Sequence, residues 1–196
     1  PVRFRRLCFV GEDKRVESLG TDGEMKRVVI AGRPGAGKSR AARTLSDLTG
    51  LPVIHLDSHY WQPGWQRPSP EVWSATMKEL IARPRWIMDG NYGSTLDLRL
   101  KAADTLIYLD FKTFLCATRV LKRSILGRGG TRSGELPDGC LERFDWPFFK
   151  FVLNYRRTRR ERDLESIRVF SGVSHVFIRP RQLKRFLGSL KSGQVS

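Results

Sequence analysis

The chain has 196 residues with 40% hydrophobic and 10% aromatic content, enough for one ordinary domain with a sizeable core. No run approaches the roughly 18 apolar residues that cross a bilayer, and no secretory signal is evident. Three cysteines, Cys8, Cys116 and Cys140, without CxxC spacing argue against a disulfide framework or structural zinc. A soluble, cytoplasmic protein is therefore expected, and its net charge of +16 calls for a polyanionic partner: nucleic acid, an anionic membrane or nucleotide phosphates.

Residues 1–24 read as a basic leader without periodicity, an appendage or tail, and Met25 is a candidate natural start. From there strand-like runs alternate with helical patterns. The strands are expected at Arg27 to Ala31, Pro52 to Leu56, Trp86 to Asp89, Thr105 to Asp110 and Ser174 to Ile178. Helices are expected at about 38–48, 70–82, 112–126, 145–163 and 181–190, with Ser69-Pro70 supplying a cap and a first-turn proline to the second. This alternation predicts stacked βα units on a parallel sheet. The Gly- and Arg-rich stretch from Gly127 to Gly139 separates two helices and reads as a mobile cover, with a lid over about 127–143 and a tail over 191–196.

The run Gly32-Arg33-Pro34-Gly35-Ala36-Gly37-Lys38-Ser39 fits G-x-x-x-x-G-K-[ST] without a mismatch, directly between a strand and a helix. Its glycines let successive backbone N–H groups turn inward, and the following helix adds its positive end, so phosphates settle there. Lys38 is expected at the β and γ phosphates of ATP, and the Ser39 hydroxyl on Mg²⁺. The fold implied is α/β, a three-layer αβα P-loop NTPase fold.

Small size, the lack of an N-K-x-D guanine motif and an Arg-rich stretch before the last strand resemble the adenylate-kinase-like kinases. More closely, HLDSHYWQPGW (55–65), RWIMDGNYGSTLDLRL (85–100), ADTLIYLDF (103–111) and RVLKRSILGRGGTR (119–132) resemble the bacterial DNA topology modulation proteins within that group. The resemblance runs from about Met25 to Leu187 and implies a five-stranded sheet of order 2-3-1-4-5 with a short Arg-rich lid.

It implies residue roles as well. Asp89 is similar to the aspartate that reaches Mg²⁺ through water, and Asp57 to a position that orients the acceptor or contacts Mg²⁺. Arg119 and Arg123, one helical turn apart, match the pair that opens the lid and delivers charge to the transition state. Among the arginines that follow, Arg156 and Arg160 share a face and are the expected catalytic members. Arg179 and Pro180 stand where related proteins wrap the adenine base, though Pro180 is equally suited to starting the last helix.

Tyr60, Trp61 and Tyr92 flank the acceptor-side motifs and are candidate substrate contacts. Trp73, Trp86, Phe144, Trp146, Phe148, Phe149 and Phe151 are expected in the core or in lid packing. Asp110 is expected to cap a helix, and His55, His59 and His175 show no arrangement for metal or acid–base chemistry. A kinase moving the ATP γ-phosphoryl to a small acceptor is the leading expectation. A P-loop ATPase or regulator associated with DNA is the alternative, and the Phe- and Arg-rich segment 144–162 also suits an anionic membrane or a partner helix.

Overall fold

A strand whose two faces are both apolar belongs in the middle of a sheet covered on both sides. Arg27–Gly32 (β1) is such a strand, with every residue after Arg27 buried. The computed structural model describes residues 25–127, 134–141 and 144–192. After β1 come α1 (Lys38–Thr49), β2 (Val53–His55), α2 (Leu56–Tyr60), α3 (Pro70–Ala82), β3 (Trp86–Asp89) and α4 (Leu96–Ala102). The chain continues through β4 (Thr105–Leu109), α5 (Thr113–Leu126), α6 (Trp146–Thr158), α7 (Arg160–Val169), β5 (Val173–Phe177) and α8 (Pro180–Lys191). The five strands form one parallel sheet of order β2-β3-β1-β4-β5.

Alternation along the strands splits the core in two. Val28, Ile30, Ile87 and Ile107 face one way, against Ala42 and Leu45 of α1 and Phe186 of α8. Val29, Met88, Leu106 and Tyr108 face the other, against Trp73 and Met77 of α3, Leu100 of α4 and Leu164 of α7. The result is the three-layer αβα arrangement expected. Trp73 and Trp86 are core residues, and Ser69 caps α3 by accepting from the Val72 N–H at 3.3 Å.

Three local features differ from the sequence reading. The short helices α2 and α4, not expected from the sequence, lack the length to show a period, and α4 buries Arg99. The stretch read as one helix over 145–163 is two, because Arg159 at φ −129° and ψ −33° breaks it. No glycine or proline marks that break in NYRRTRRERD. Asp110 caps nothing: Lys112 precedes α5, and the Asp110 carboxylate instead receives Arg160 Nε at 2.9 Å and Nη2 at 2.8 Å. The leader (1–24) and part of the Arg-rich loop (128–133), together with 142, 143 and 193–196, lie outside the described residues.

Candidate active site

The order 2-3-1-4-5 reverses direction around β1, and a crevice opens past the carboxyl ends of strands at such a reversal. The phosphate loop fills that place, leaving β1 at Gly32 and entering α1 at Lys38. Gly35 and Gly37 hold positive φ, 81° and 93°, which side chains rarely adopt. Gly37 caps α1 with no side-chain hydrogen bond, so no side chain competes for the first N–H groups of the helix, which remain suited to an anion. Lys38 Nζ donates to Gly32 O at 3.0 Å and to Arg33 O at 3.2 Å. Burial pulls its pKa below the usual lysine value, while the Asp89 and Asp57 charges oppose that fall. Such an ammonium, poorly solvated and held by carbonyls, gains from any phosphate brought beside it.

Across the cleft, strand register builds the acidic side. His55 and Asp89 are paired across β2 and β3, and His55 Nδ1 meets Asp89 Oδ1 at 2.5 Å. Burial works against a charge on His55, but the hydrogen bond to Asp89 and its negative charge outweigh that and raise the pKa. The histidine passed over in the sequence is thus bound to the key carboxylate. Two residues on, Asp57 accepts from Tyr92 Oη at 2.6 Å. The Tyr92 loop is held from behind by Arg99, which is fully buried and donates to Gly90 O at 3.2 Å and Tyr92 O at 3.0 Å. Desolvation lowers the Arg99 pKa to about 10, with Asp163, Tyr92 and Asp89 acting against it.

The aromatic wall follows from the same loops. Tyr60 lies 5.1 Å from Trp61 and 4.4 Å from Tyr92, ring centre to ring centre, with Trp73 behind both. Arg67 stands over the Trp61 ring at 5.5 Å. Segment 134–141 straps the open side: Arg43 of α1 pairs with Glu135, Gly64 N donates to Gly139 O at 3.4 Å, Trp65 Nε1 donates to Leu141 O at 3.3 Å, and Cys140 Sγ donates to Gln62 O at 3.3 Å.

Most of the expected site residues meet in this cleft. Pro34, Gly35, Gly37, Lys38 and Ser39 line it with Asp57, Tyr60, Trp61, Asp89 and Tyr92, and Arg119 and Arg123 reach it from α5. Arg119 Nη1 also donates to Ala36 O at 3.3 Å, tying α5 to the phosphate loop. Gly32, Arg33 and Ala36 support the loop from outside the lining. The expected pair Arg156 and Arg160 does not line the cleft: Arg156 is exposed and Arg160 is turned to Asp110. The break at Arg159 resets the helical phase, so Arg159 and Arg162 face the cleft in their place. Arg179 and Pro180 do not line it either, and Pro180 begins α8, where Gln182 Oε1 accepts from Ile178 N and Arg179 N at 3.0 Å each. Phe148 and Phe151, expected in packing, also line the cleft.

Behind it lies a buried polar cluster that sequence reasoning missed. Asp163 accepts from Tyr155 Oη and, at 3.2 Å, from Tyr108 Oη. Desolvation raises the Asp163 pKa against these two bonds, and burial raises both phenols as well. The fully buried Arg33 donates to Thr113 Oγ1 and lays its guanidinium 5.5 Å over the Tyr155 ring. A tyrosine whose hydroxyl donates a hydrogen bond to a carboxylate presents a more negative ring face, which suits the cation above it.

No family model and no curated protein matches the chain in sequence. Among solved structures it is similar to the shikimate kinase of Bacteroides thetaiotaomicron, 13% identical, with 86% of this chain and 97% of that one covered and a TM-score of 0.53. It is similar also to the shikimate kinase of Acinetobacter baumannii in complex with shikimate, 16% identical, with 88% and 96% covered and a TM-score of 0.53. The fold is that of the P-loop kinases. The deoxyadenosine kinase of M. mycoides with bound dATP is a looser match, with a TM-score of 0.48.

In this P-loop kinase fold the cleft measures about 1280 Å³, larger than the roughly 300–1,000 Å³ of a site for one small molecule. Among the described residues no group of three or more His, Cys, Asp and Glu side chains is placed to hold a metal. Mg²⁺ does not need such a cage, since one or two carboxylates with substrate phosphates suffice. Ser39, Asp89 and Asp57 line the same cleft around Lys38, a donor set of hard oxygens that fits Mg²⁺ bound together with phosphates.

Proposed function

We propose that the protein is an ATP-dependent kinase of the nucleoside and small-molecule type, moving the γ-phosphoryl group to a hydroxyl of a small acceptor. The observation that carries this reading is the placement of two carboxylates, Asp57 and Asp89, opposite Lys38 in one cleft, one bonded to Tyr92 and the other to His55. Backbone N–H groups of Gly35 and Gly37 and the Lys38 ammonium are assigned to the β and γ phosphates. Ser39 and Asp89 would hold Mg²⁺, which would supply positive charge to offset the negative charge that develops during transfer.

Asp57 is assigned to the acceptor. A hydroxyl must lose its proton as it attacks, and a carboxylate fixed by Tyr92 Oη is placed to take it. A phosphate acceptor needs no base, so a carboxylate held in this place suits a hydroxyl acceptor. The acceptor oxygen bonds to the γ-phosphorus, the bridging oxygen leaves with ADP, and the proton passes to Asp57 and then to solvent. Arg119 and Arg123 supply positive charge from the lid side, Arg159 from the break before α7 and Arg162 from α7 itself, and the Tyr60, Trp61 and Tyr92 wall holds the acceptor skeleton. The absent guanine motif favours ATP over GTP. The resemblance to the DNA topology modulation proteins accords with this reading and names no acceptor.

The test is an acceptor screen with ATP and Mg²⁺ on the wild type, Asp57→Asn and Lys38→Ala. Accelerated ATP consumption is expected with hydroxyl acceptors, falling at least 100-fold in Asp57→Asn with ATP binding retained, and disappearing in Lys38→Ala. Consumption stimulated only by nucleoside monophosphates, or unaffected by Asp57→Asn, would refute the assignment.

A further inference from the structure

Large apolar side chains left in water are concentrated in one part of the molecule. Outside positions 114–153 only Val72 and Val169 are of this kind among the described residues. On α5, Phe114, Leu121 and Ile125 fall at offsets 0, 7 and 11, one stripe of a helix. Phe114 is 80% exposed and Ile125 61%. On α6, Trp146 and Leu153 share a stripe with Lys150 and Arg157, and Trp146 is 60% exposed. The two helices pack on each other through other positions, Ala117 and Val120 against Val152 with Phe148 and Phe149, so the stripes take no part in that seam.

The charge of the pair has one sign. Neither α5 nor α6 contains an Asp or Glu. Arg119 and Arg123 turn into the cleft, while Lys122, Lys150, Arg156 and Arg157 are exposed. We infer that the outer face of α5 and α6 docks on an anionic lipid bilayer, with Phe114, Ile125, Trp146 and Leu153 seated below the headgroups and the four outward cations on their phosphates. No helix among the described residues is long and apolar enough to cross a membrane, so the pair lies along the surface.

Charge decides against two other occupants, a second copy and duplex DNA. A second copy meeting this face by two-fold symmetry sets cations against cations. Duplex DNA would take the cations but leave Ile125 and Leu153 in water, since phosphate contacts gain nothing from aliphatic side chains. An anionic bilayer satisfies both at once, and the net charge of +16 draws the whole chain to it. This inference is independent of the chemistry assigned to the cleft.

The experiment is flotation of the full chain with phosphatidylcholine vesicles and with vesicles that also contain phosphatidylglycerol, alongside light scattering and duplex-DNA binding. Flotation only with the anionic vesicles, weakening with salt, is expected. Ile125→Gln combined with Trp146→Gln should lower vesicle affinity about tenfold or more, and Lys150→Gln about fivefold, with circular dichroism and thermal midpoint unchanged. Both positions are exposed, so folding is not at stake. No flotation with anionic vesicles, flotation unaffected by the apolar pair, or a dimer abolished by Ile125→Gln would each overturn it. Binding to DNA that exceeds vesicle binding and ignores the apolar pair would do the same.

Discussion

His55 holds one oxygen of Asp89, at 2.5 Å, and Asp89 lines the cleft. Both residues sit at strand ends in register, so the backbone itself sets the approach. A partner that orients a metal-facing carboxylate typically contributes 10–100-fold to affinity or activity. His55→Leu is therefore expected to raise the Mg²⁺ concentration needed for ATP binding about tenfold, measured by titration calorimetry. His55→Asn, whose amide can take the place of Nδ1, should restore much of it. Equal Mg²⁺ dependence in all three proteins would mean that the histidine is only packing.

Gly35 and Gly37 separate two costs in the phosphate loop. A Cβ at Gly35 would overlap the Cys116 carbonyl oxygen and stand 2.9 Å from Val120 Cγ2, whereas at Gly37 the nearest atom is Arg119 Nη1 at 4.0 Å. Gly37→Ala thus meets only the penalty of positive φ, about 1–2 kcal/mol. Gly35→Ala must also displace backbone, and is expected to cost roughly 3 kcal/mol or more. Urea midpoints of the two variants will show whether that order holds.

Tyr155→Phe removes one of the two phenol bonds to the buried Asp163 and leaves a less polarised ring beneath Arg33. A loss of about 1–3 kcal/mol is expected. Tyr108→Phe should cost less, because its bond to Asp163 is a long 3.2 Å. Denaturant unfolding in which the second variant is the weaker would contradict this account.

His175, on β5 against Phe177 and Phe186, has its pKa pulled down to about 4 by desolvation. The unfolded chain binds this proton near pH 6.5 and the folded one resists it. Stability is then whole above about pH 6.5 and falls as pH drops toward 4, by about 3 kcal/mol in all. Thermal midpoints between those pH values should fall more steeply for the wild type than for His175→Phe. Parallel curves would assign the acid limb to other groups.

The sheet order and the phosphate loop were legible because parallel strands buried on both faces read as continuous apolar runs, as in RVVIA and TLIYLD, and because GRPGAGKS carries its own context. Asp57, Asp89, Arg119 and Arg123 were picked out by the resemblance to the adenylate-kinase-like kinases, and all four line the cleft. Arg156 and Arg160, expected alongside them, do not line the cleft, for a definite reason. Their choice assumed one helix through Arg159, and a break without glycine or proline moved each following side chain around the axis. Arg99, Asp163 and His55 were hidden differently, since a charge that acts by facing inward looks in sequence like any solvated residue.

The strap over the cleft joins residues far apart in the chain: Arg43 with Glu135, Trp65 with Leu141 and Gln62 with Cys140 are separated by 92, 76 and 78 positions. Such closures carry a large loop entropy, set here against the apolar burial of only Leu136 and Cys140 within 134–141. The strap is thus expected to form late in folding and to loosen early under denaturant. Amide exchange over 134–141 should be complete while the five strands are still protected, an opening that would admit substrates without movement in the sheet.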